Sequence, residues 1–418
     1  MAAATLAAAV GLAAVLSAEL SAEPAPLRVG VIVDCAGFFR GFEDLMLAGA
    51  ELPFLDRGAR LRSTEPADGV TDARLAGGGR ARLLIGCDEG GEFSTVIATA
   101  RRLVEVEHAD VVLGGTWPGD GIVLGQVARR YPTVAFVAAS TGPGEVTLLR
   151  PSPNLFRVRP SYAQQAAGLG IYAYRQLGWR RAAVLVEDDE EGWAESAAFT
   201  AEFCAVGGRV ERSLGFPLAL TPKAAGSLAD RVDGTAVFAA GVTDPAVLLP
   251  VLRDVFGGRR LIIGTGISSD PRAARLLDGV VAPLMVPPPG PSFAQRLGAA
   301  FPGLPAAAAQ SGFTVGFNAS VEAVLAAAST GDDLHTSLAR LELRMPGGSL
   351  RIAGDGQATV PQTLVRQTSD GQQVLARLAA VPPLLDGLLS RSEPPSRVGP
   401  PCRRVPTPAY ARSLVSRR

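Results

Sequence analysis

Two adjacent hydroxyls, Ser140 and Thr141, close the apolar run TVAFVAA and precede Gly142-Pro143. Hydroxyls at the end of a buried strand can donate to and accept from a small polar molecule, which is binding chemistry. The preceding run, VVLGG, ends in Thr116-Trp117-Pro118. That loop brings one hydroxyl and one flat apolar face, and backbone N–H groups at the next helix start would favour an anion. Trp117 could equally fill space over the sheet edge, and Ser140 and Thr141 could cap backbone groups instead of a ligand. An acidic run, Glu187-Asp188-Asp189-Glu190-Glu191, is followed by Trp193. Glu191 or Asp189 would meet a cation there, unless the run is an ordinary solvated loop. Phe38, Thr243 and Thr265 complete the candidate ligand-binding residues.

Residues for catalysis are scarce. The two histidines, His108 and His335, fall at helix ends or on the surface, which leaves little acid–base chemistry for neutral pH. No GxGxxG opens a helix after the first strand, and there is no P-loop and no GxSxG turn. No catalytic residue, cofactor or metal is assigned. The four cysteines Cys35, Cys87, Cys204 and Cys402 form no CxxC pair, which argues against zinc. Cys35 and Cys87 each follow a predicted strand, and parallel strands ending together would bring them within bridging reach. A disulfide there would contribute about 4 kcal/mol by the chain-entropy estimate; the alternative is two buried thiols. Cys204 reads as helix core, and Cys402 as a free exposed thiol.

The elements that must position these residues are short buried strands alternating with helices, the pattern of parallel βαβ units. Strands are predicted at 27–33, 82–86, 111–115 and up to Ser140, with a helix at 121–130 between the last two. A proline-rich crossover at 149–161 leads to a helix at 162–177, and then the plan repeats. Strands at 181–186, 209–213, 235–239 and 260–264 alternate with helices at 196–206, 223–232 and 244–256. A strand at 279–286 and the prolines at 287–291 return the chain, followed by helices at 293–301 and 313–329. Residues 350–352 and 363–367 are expected to form a terminal hairpin. Beyond Pro382 the Pro/Arg/Ser-rich composition predicts disorder.

At 418 residues the chain is long enough for two cores, and with 47% apolar and 19% charged residues it should fold. A formal net charge of +0 gives no pull towards nucleic acid or anionic membrane. Lysine occurs only at Lys223 although Lys and Arg total 40, so arginine abundance is a coding bias and no single arginine is given weight. Residues 2–18 are uncharged, small and apolar, and LSAEPAP follows, as in a secretory signal cleaved near Ala18 or Ala22. A retained membrane anchor is the alternative. Export to the periplasm or the outer face of the membrane is expected.

Four stretches, in order and spacing, carry a family resemblance. They are LRVGVIVDCAGFFRGFEDLMLAGAEL; RRLVEVEHADVVLGG with YPTVAFVAAST; NLFRVRPSYAQQAAGLGIYAYRQLGWRRAAVLVEDDEEGW; and AFTAEFCAVGGRVERSLGF. From about 27 to 368 the chain resembles the type I periplasmic ligand-binding proteins. The nearest group is the leucine/isoleucine/valine-binding components of ABC transporters. The resemblance implies an α/β fold of two Rossmann-like lobes with a hinge and an interlobe cleft. Residues 1–22 would be signal, 27–152 plus about 284–345 lobe I, 153–283 plus about 346–380 lobe II, and 385–418 a disordered tail. It implies a monomeric, non-catalytic protein that captures a small polar or amphipathic ligand, such as an amino acid or amide. ABC permease subunits would be its partners, with no nucleic acid. A sensor of the same fold and an enzyme on a Rossmann-like scaffold are the alternatives.

The resemblance also implies that hydroxyls and main-chain amides after the third and fourth strands hold a ligand's carboxylate and ammonium. Ser140 and Thr141 match the fourth-strand position, whereas Thr116-Trp117-Pro118 replaces a serine-rich loop. The acidic group that would receive an ammonium falls at Thr265-Gly266-Ile267, which is uncharged. With Phe38, Trp117 and Trp193 nearby, these departures favour a ligand with an apolar or flat portion.

Overall fold

The computed structural model describes residues 25–415 except 38, 89–92, 149–150, 233–234, 243, 270–272, 274, 287–289, 346–347, 353–355, 369–370, 392–395, 397–399 and 401. The segment expected to be a signal, Phe38 and Thr243 therefore lie outside the described residues.

The first lobe is built on six strands: β1 (Leu27–Asp34), β2 (Ala73–Arg74), β3 (Arg80–Asp88), β4 (Val111–Gly114), β5 (Ala135–Ala138) and β6 (Leu155–Phe156). Their order is β2-β3-β1-β4-β5-β6, all parallel except β2. Strands β4 and β5 are buried throughout, as expected where helices cover both faces of a parallel sheet. On one face Leu103 of α2 (Phe93–Glu105) and Leu124 of α3 (Pro118–Arg130) pack against Val112 and Phe136. The other face takes α1 (Glu43–Leu55), with Met46 and Phe54 in its core.

The chain then crosses and builds the second lobe. Its elements are α4 (Tyr162–Gln165), α5 (Leu169–Arg175), β7 (Arg181–Glu187), α6 (Glu190–Ala205), β8 (Arg209–Phe216), α7 (Pro222–Arg231), β9 (Ala236–Ala240), α8 (Pro245–Phe256), β10 (Leu261–Ile263), α9 (Thr265–Ser269) and β11 (Val281–Pro283). A return places α10 (Pro291–Ala300), α11 (Gly312–Ala328) and α12 (Leu334–Ala339) on the first lobe. There α11 lies close against α1, because a Cβ on Gly49 would sit 2.3 Å from the Thr314 carbonyl oxygen. The chain ends its regular structure with β12 (Glu342–Met345), β13 (Gly348–Ile352), β14 (Ala358–Thr368) and β15 (Gly371–Val381). The second sheet runs β12-β13-β14-β11-β10-β9-β7-β8, with β15 on β14.

Strand β14 links the two cores. Ala358 and Val360 belong to the first lobe's core, whereas Leu364 belongs to the second's. Leu350 and Ile352 of β13 also pack into the first core, although β13 is a strand of the second sheet. The expected hairpin is different too. Strand β13 pairs Arg351 with Thr359 and Ile352 with Ala358, while residues 363–367 pair with β15. Arg157, on the first crossing, is fully buried and bridges to Gln357 ahead of β14. Its guanidinium donates to Gln357 Oε1, the Pro143 carbonyl and the Thr147 hydroxyl. Gln357 in turn donates to Gln164 Oε1 at 3.0 Å, so two crossings share one buried polar network.

Cys35 and Cys87 are bridged, with Cα atoms 5.5 Å apart, where β1 and β3 end in register. Cys204 and Cys402 are bridged as well, with Cα atoms 5.1 Å apart, so Cys402 is not a free thiol and Cys204 is not merely core. The expectation of disorder from 385 onward is overturned for the described part of the tail. Tyr410, Ala411 and Leu414 are buried in the second core, and the Tyr410 hydroxyl donates to Glu202 Oε1 at 2.5 Å. The tail's prolines and arginines hid three apolar anchors with one hydroxyl between α5 and α6. Among the described residues no helix is long and apolar enough to cross a membrane.

Candidate ligand-binding cleft

On the first lobe, β1, β3, β4 and β5 bring Asp34, Asp88, Thr116, Ser140 and Thr141 to one sheet edge. The loop after β4 turns at Gly115, whose φ of 90° suits glycine. Asp120, in the first turn of α3, then folds back. The Thr116 and Trp117 amides donate to its Oδ2 at 2.9 and 2.7 Å. Burial pushes the Asp120 pKa up to about 6 even against those two donors. The amides that the sequence offers to an anion are thus occupied by the chain's own carboxylate. The Thr141 hydroxyl is also engaged: it donates to the Pro118 carbonyl at 3.0 Å, and Thr141 is fully buried. The Ser140 hydroxyl accepts from Arg159 Nη1 at 2.8 Å. Burial, Asp120 and Asp88 raise the Asp34 carboxyl to about 7, against a hydrogen bond from the Thr116 side chain. At the rim, half-buried Trp117 meets Phe39 edge-on at 4.8 Å, and Phe39 and Phe42 meet Phe313 at 5.4 and 4.9 Å. These four rings pack on one another as an aromatic cluster at the sheet edge.

On the second lobe, β7, β9 and β10 end together. Asp189 caps α6 by accepting from the Gly192 amide at 2.6 Å, and burial raises its pKa to about 6. Glu191 and Glu195, one turn apart on α6, both reach Thr265 at the start of α9. The Thr265 amide donates to Glu195 Oε1 at 2.8 Å. The Thr265 hydroxyl faces Glu195 Oε1, Glu191 Oε1 at 3.1 Å and Gln165 Oε1 at 2.5 Å. One hydroxyl proton cannot satisfy three acceptors, which requires a protonated carboxyl among them. Burial supplies it: Glu195 is raised to about 8, and Glu191 is held well above the ordinary carboxylate range by burial, then by Glu195 and Asp189.

The carboxyls that meet Thr265 thus come from a helix three strands earlier in the chain. Glycines make the room. A Cβ on Gly241, Gly264 or Gly266 would lie 2.3, 1.8 or 2.6 Å from an oxygen of Glu187, Glu195 or Glu191 respectively. Trp193 is half-buried against the second core, and its indole nitrogen meets no partner among the described residues.

Two residues that the sequence reading passed over lie between these rims. Arg159, on the first crossing, is 3% exposed, and its Nη1 donates to the Ser140 carbonyl and hydroxyl. Burial lowers its pKa, while Tyr162 and Glu191 facing it raise it. Tyr162 opens the second lobe and packs on the Gly142 loop of the first, where a Cβ would lie 2.5 Å from its ring. Burial, and then Glu191, push the phenol well above its ordinary range. Glu145 of the first lobe is raised by burial and, less, by the like charge of Glu190 of the second. The signal for Arg159 and Tyr162 in the sequence was their place on either side of Pro160 in the lobe crossing.

A cavity of about 410 Å³ opens at the margin strand β8 between Phe216, Lys223 and Arg231. It contains none of the clustered polar groups, so the chemistry, not cavity size, locates the site. A second cavity of about 10 Å³, room for one water, borders Arg159 between the crossings. Among the described residues no His/Cys/Asp/Glu group has metal-holding geometry.

The fold matches solved proteins at low identity. An ABC transporter substrate-binding protein from Sphaerobacter thermophilus superposes with a TM-score of 0.71 at 21% identity, covering 85% of this chain and 98% of the other. A solute-binding protein of an ABC transporter from R. palustris, in complex with benzoate, gives 0.67 at 18% identity, covering 85% and 98%. A leucine-binding protein from Thermotoga maritima gives 0.65 at 15%, covering 84% and 99%. No curated protein matches the chain significantly. The model of the periplasmic binding protein family matches residues 26–372, nearly the whole span of the two lobes, and the chain belongs to that family.

Proposed function

We propose that this protein is the extracytoplasmic solute-binding component of an ABC importer, without catalytic activity. It captures one small polar or amphipathic molecule between its lobes and presents it to membrane permease subunits. The observation that carries this reading is the meeting of two sheet edges, each set with polar and aromatic side chains, across a hinge that contributes Arg159 and Tyr162. Parallel sheets gather ligands outside their strand ends, and paired lobes close by bending at their crossings. The benzoate-bound and leucine-binding neighbours bracket the ligand size: one flat aromatic acid, one aliphatic amino acid. Thr116, Trp117, Pro118, Ser140, Thr141, Glu191, Trp193 and Thr265 line or support the two rims in this reading. Their hydroxyls and carboxyls act largely through each other.

Native mass spectrometry of the gently purified protein tests it. The expected spectrum shows one small molecule per chain, lost on unfolding and regained on refolding with the extracted ligand. A chain that never carries or rebinds a small molecule, or that converts it, contradicts the reading.

A further inference from the structure

Arg159 is held at one corner only. Its Nη1 is fixed by Ser140, while Nε and Nη2 meet no hydrogen-bond partner among the described residues, although the side chain is only 3% exposed. Nε and Nη2 are the two parallel donors of the guanidinium's side-on edge, the edge that matches the two oxygens of a carboxylate. A buried charge in this state is costly unless a counter-ion completes it. No ion pair of Arg159 occurs among the described residues. Its acidic neighbour Glu191 is kept towards its neutral form by burial and by Glu195, so it is a poor counter-ion.

The other anion donors on the first rim are already taken. The Thr116 and Trp117 amides hold Asp120, the Ser140 amide holds the Gly115 carbonyl at 3.1 Å, and the Thr141 hydroxyl holds Pro118. Resting on the solute-binding reading above, we propose that Arg159 is the ligand anchor and that the ligand is a small carboxylate, gripped side-on by Nε and Nη2. The ligand's opposite end then points towards Glu191 and Thr265. A neutral carboxyl there can accept from an ammonium or phenol hydroxyl. Carboxylate recognition would thus have moved from loop amides to a hinge arginine, which also couples ligand binding to the segment that bends on closure.

The test is a thermal-shift and calorimetric comparison of aromatic, aliphatic and amino monocarboxylates, each against its own primary amide. Benzoate, 4-hydroxybenzoate, L-leucine and L-phenylalanine head the set. On the wild-type protein at least one acid should bind, with its amide about 100-fold weaker, the scale of a lost bidentate charge-assisted contact. Arg159→Lys keeps the charge near Ser140 but lacks the fork. It should bind that acid at least about 10-fold more weakly while its unliganded melting temperature and circular dichroism stay near wild type. Equal affinity for acid and amide, or full affinity in a folded Arg159→Lys, overturns the anchor. So does a failure of every acid. An uncharged solute that binds and closes the lobes would overturn the anchor while leaving solute capture intact.

Discussion

Thr265 shows how far one side chain can mislead when read alone. In the sequence it sits in an uncharged loop, yet Glu191 and Glu195 converge on its hydroxyl. Pattern reading could not find this, because Glu195 lies one turn inside a helix whose other residues are mostly small and apolar. Arg159 was invisible for a different reason: in a chain this rich in arginine, no single one stands out. Ser140 and Thr141 were found at the expected edge, but their hydroxyls turned out to be engaged inside the protein. The buried acids carry a clear pH signature. Glu195 keeps its proton up to about pH 8 in the folded protein, against 4.5 for an ordinary glutamate. Asp34 and Glu51, raised to about 7 and 8 by burial, behave alike. Between those pH values the native state binds more protons than the unfolded one, so stability falls as pH rises from about 5 to 8. Calorimetry should show a higher melting temperature at pH 5 than at pH 8.5. Glu195→Gln, which imitates the protonated form, should flatten that slope. A wild-type melting temperature that climbs with pH contradicts this.

Among elements, the buried strands were the most legible, because runs such as VVLGG and TVAFVAA can hardly be anything else. What escaped was the partner of each strand late in the chain. The 350–352 segment is apolar enough to pair with any neighbour, and only packing against the first core sets its place. The tail escaped because its composition is that of a disordered segment, while Tyr410 and Leu414 anchor it. Tyr410→Phe removes a donor from buried Glu202, and should lower stability by about 1–3 kcal/mol in urea titration. No change would mean that the tail is not anchored there. The glycines at the second rim make a paired prediction. Gly264→Ala would drive its Cβ to 1.8 Å from Glu195 Oε2, and should cost about 1–3 kcal/mol. Gly298→Ala, on α10 with nothing within 4 Å, should stabilise by about 0.5–1 kcal/mol. Equal effects from both would show that the rim is not tightly packed.

For the whole molecule, repetition of the strand–helix plan and the proline-rich crossings make two lobes legible in the sequence. Three passages join them: the segment holding Arg157 and Arg159, the return after β11, and β14. The first and last are tied through Gln357, so bending at one must be felt at the other. What stayed hidden was how the gap is equipped. Contacts between Gly142 and Tyr162, or between Arg159 and Ser140, join residues whose neighbours in sequence belong to different lobes. A crystal structure of the protein saturated with its tightest-binding carboxylate tests the account most directly. One ligand should lie between the ends of β4 and β5 and the ends of β7 and β10, its carboxylate on Arg159. A ligand seated instead in the β8–α7 cavity, or a saturated protein with nothing between its lobes, would contradict the account.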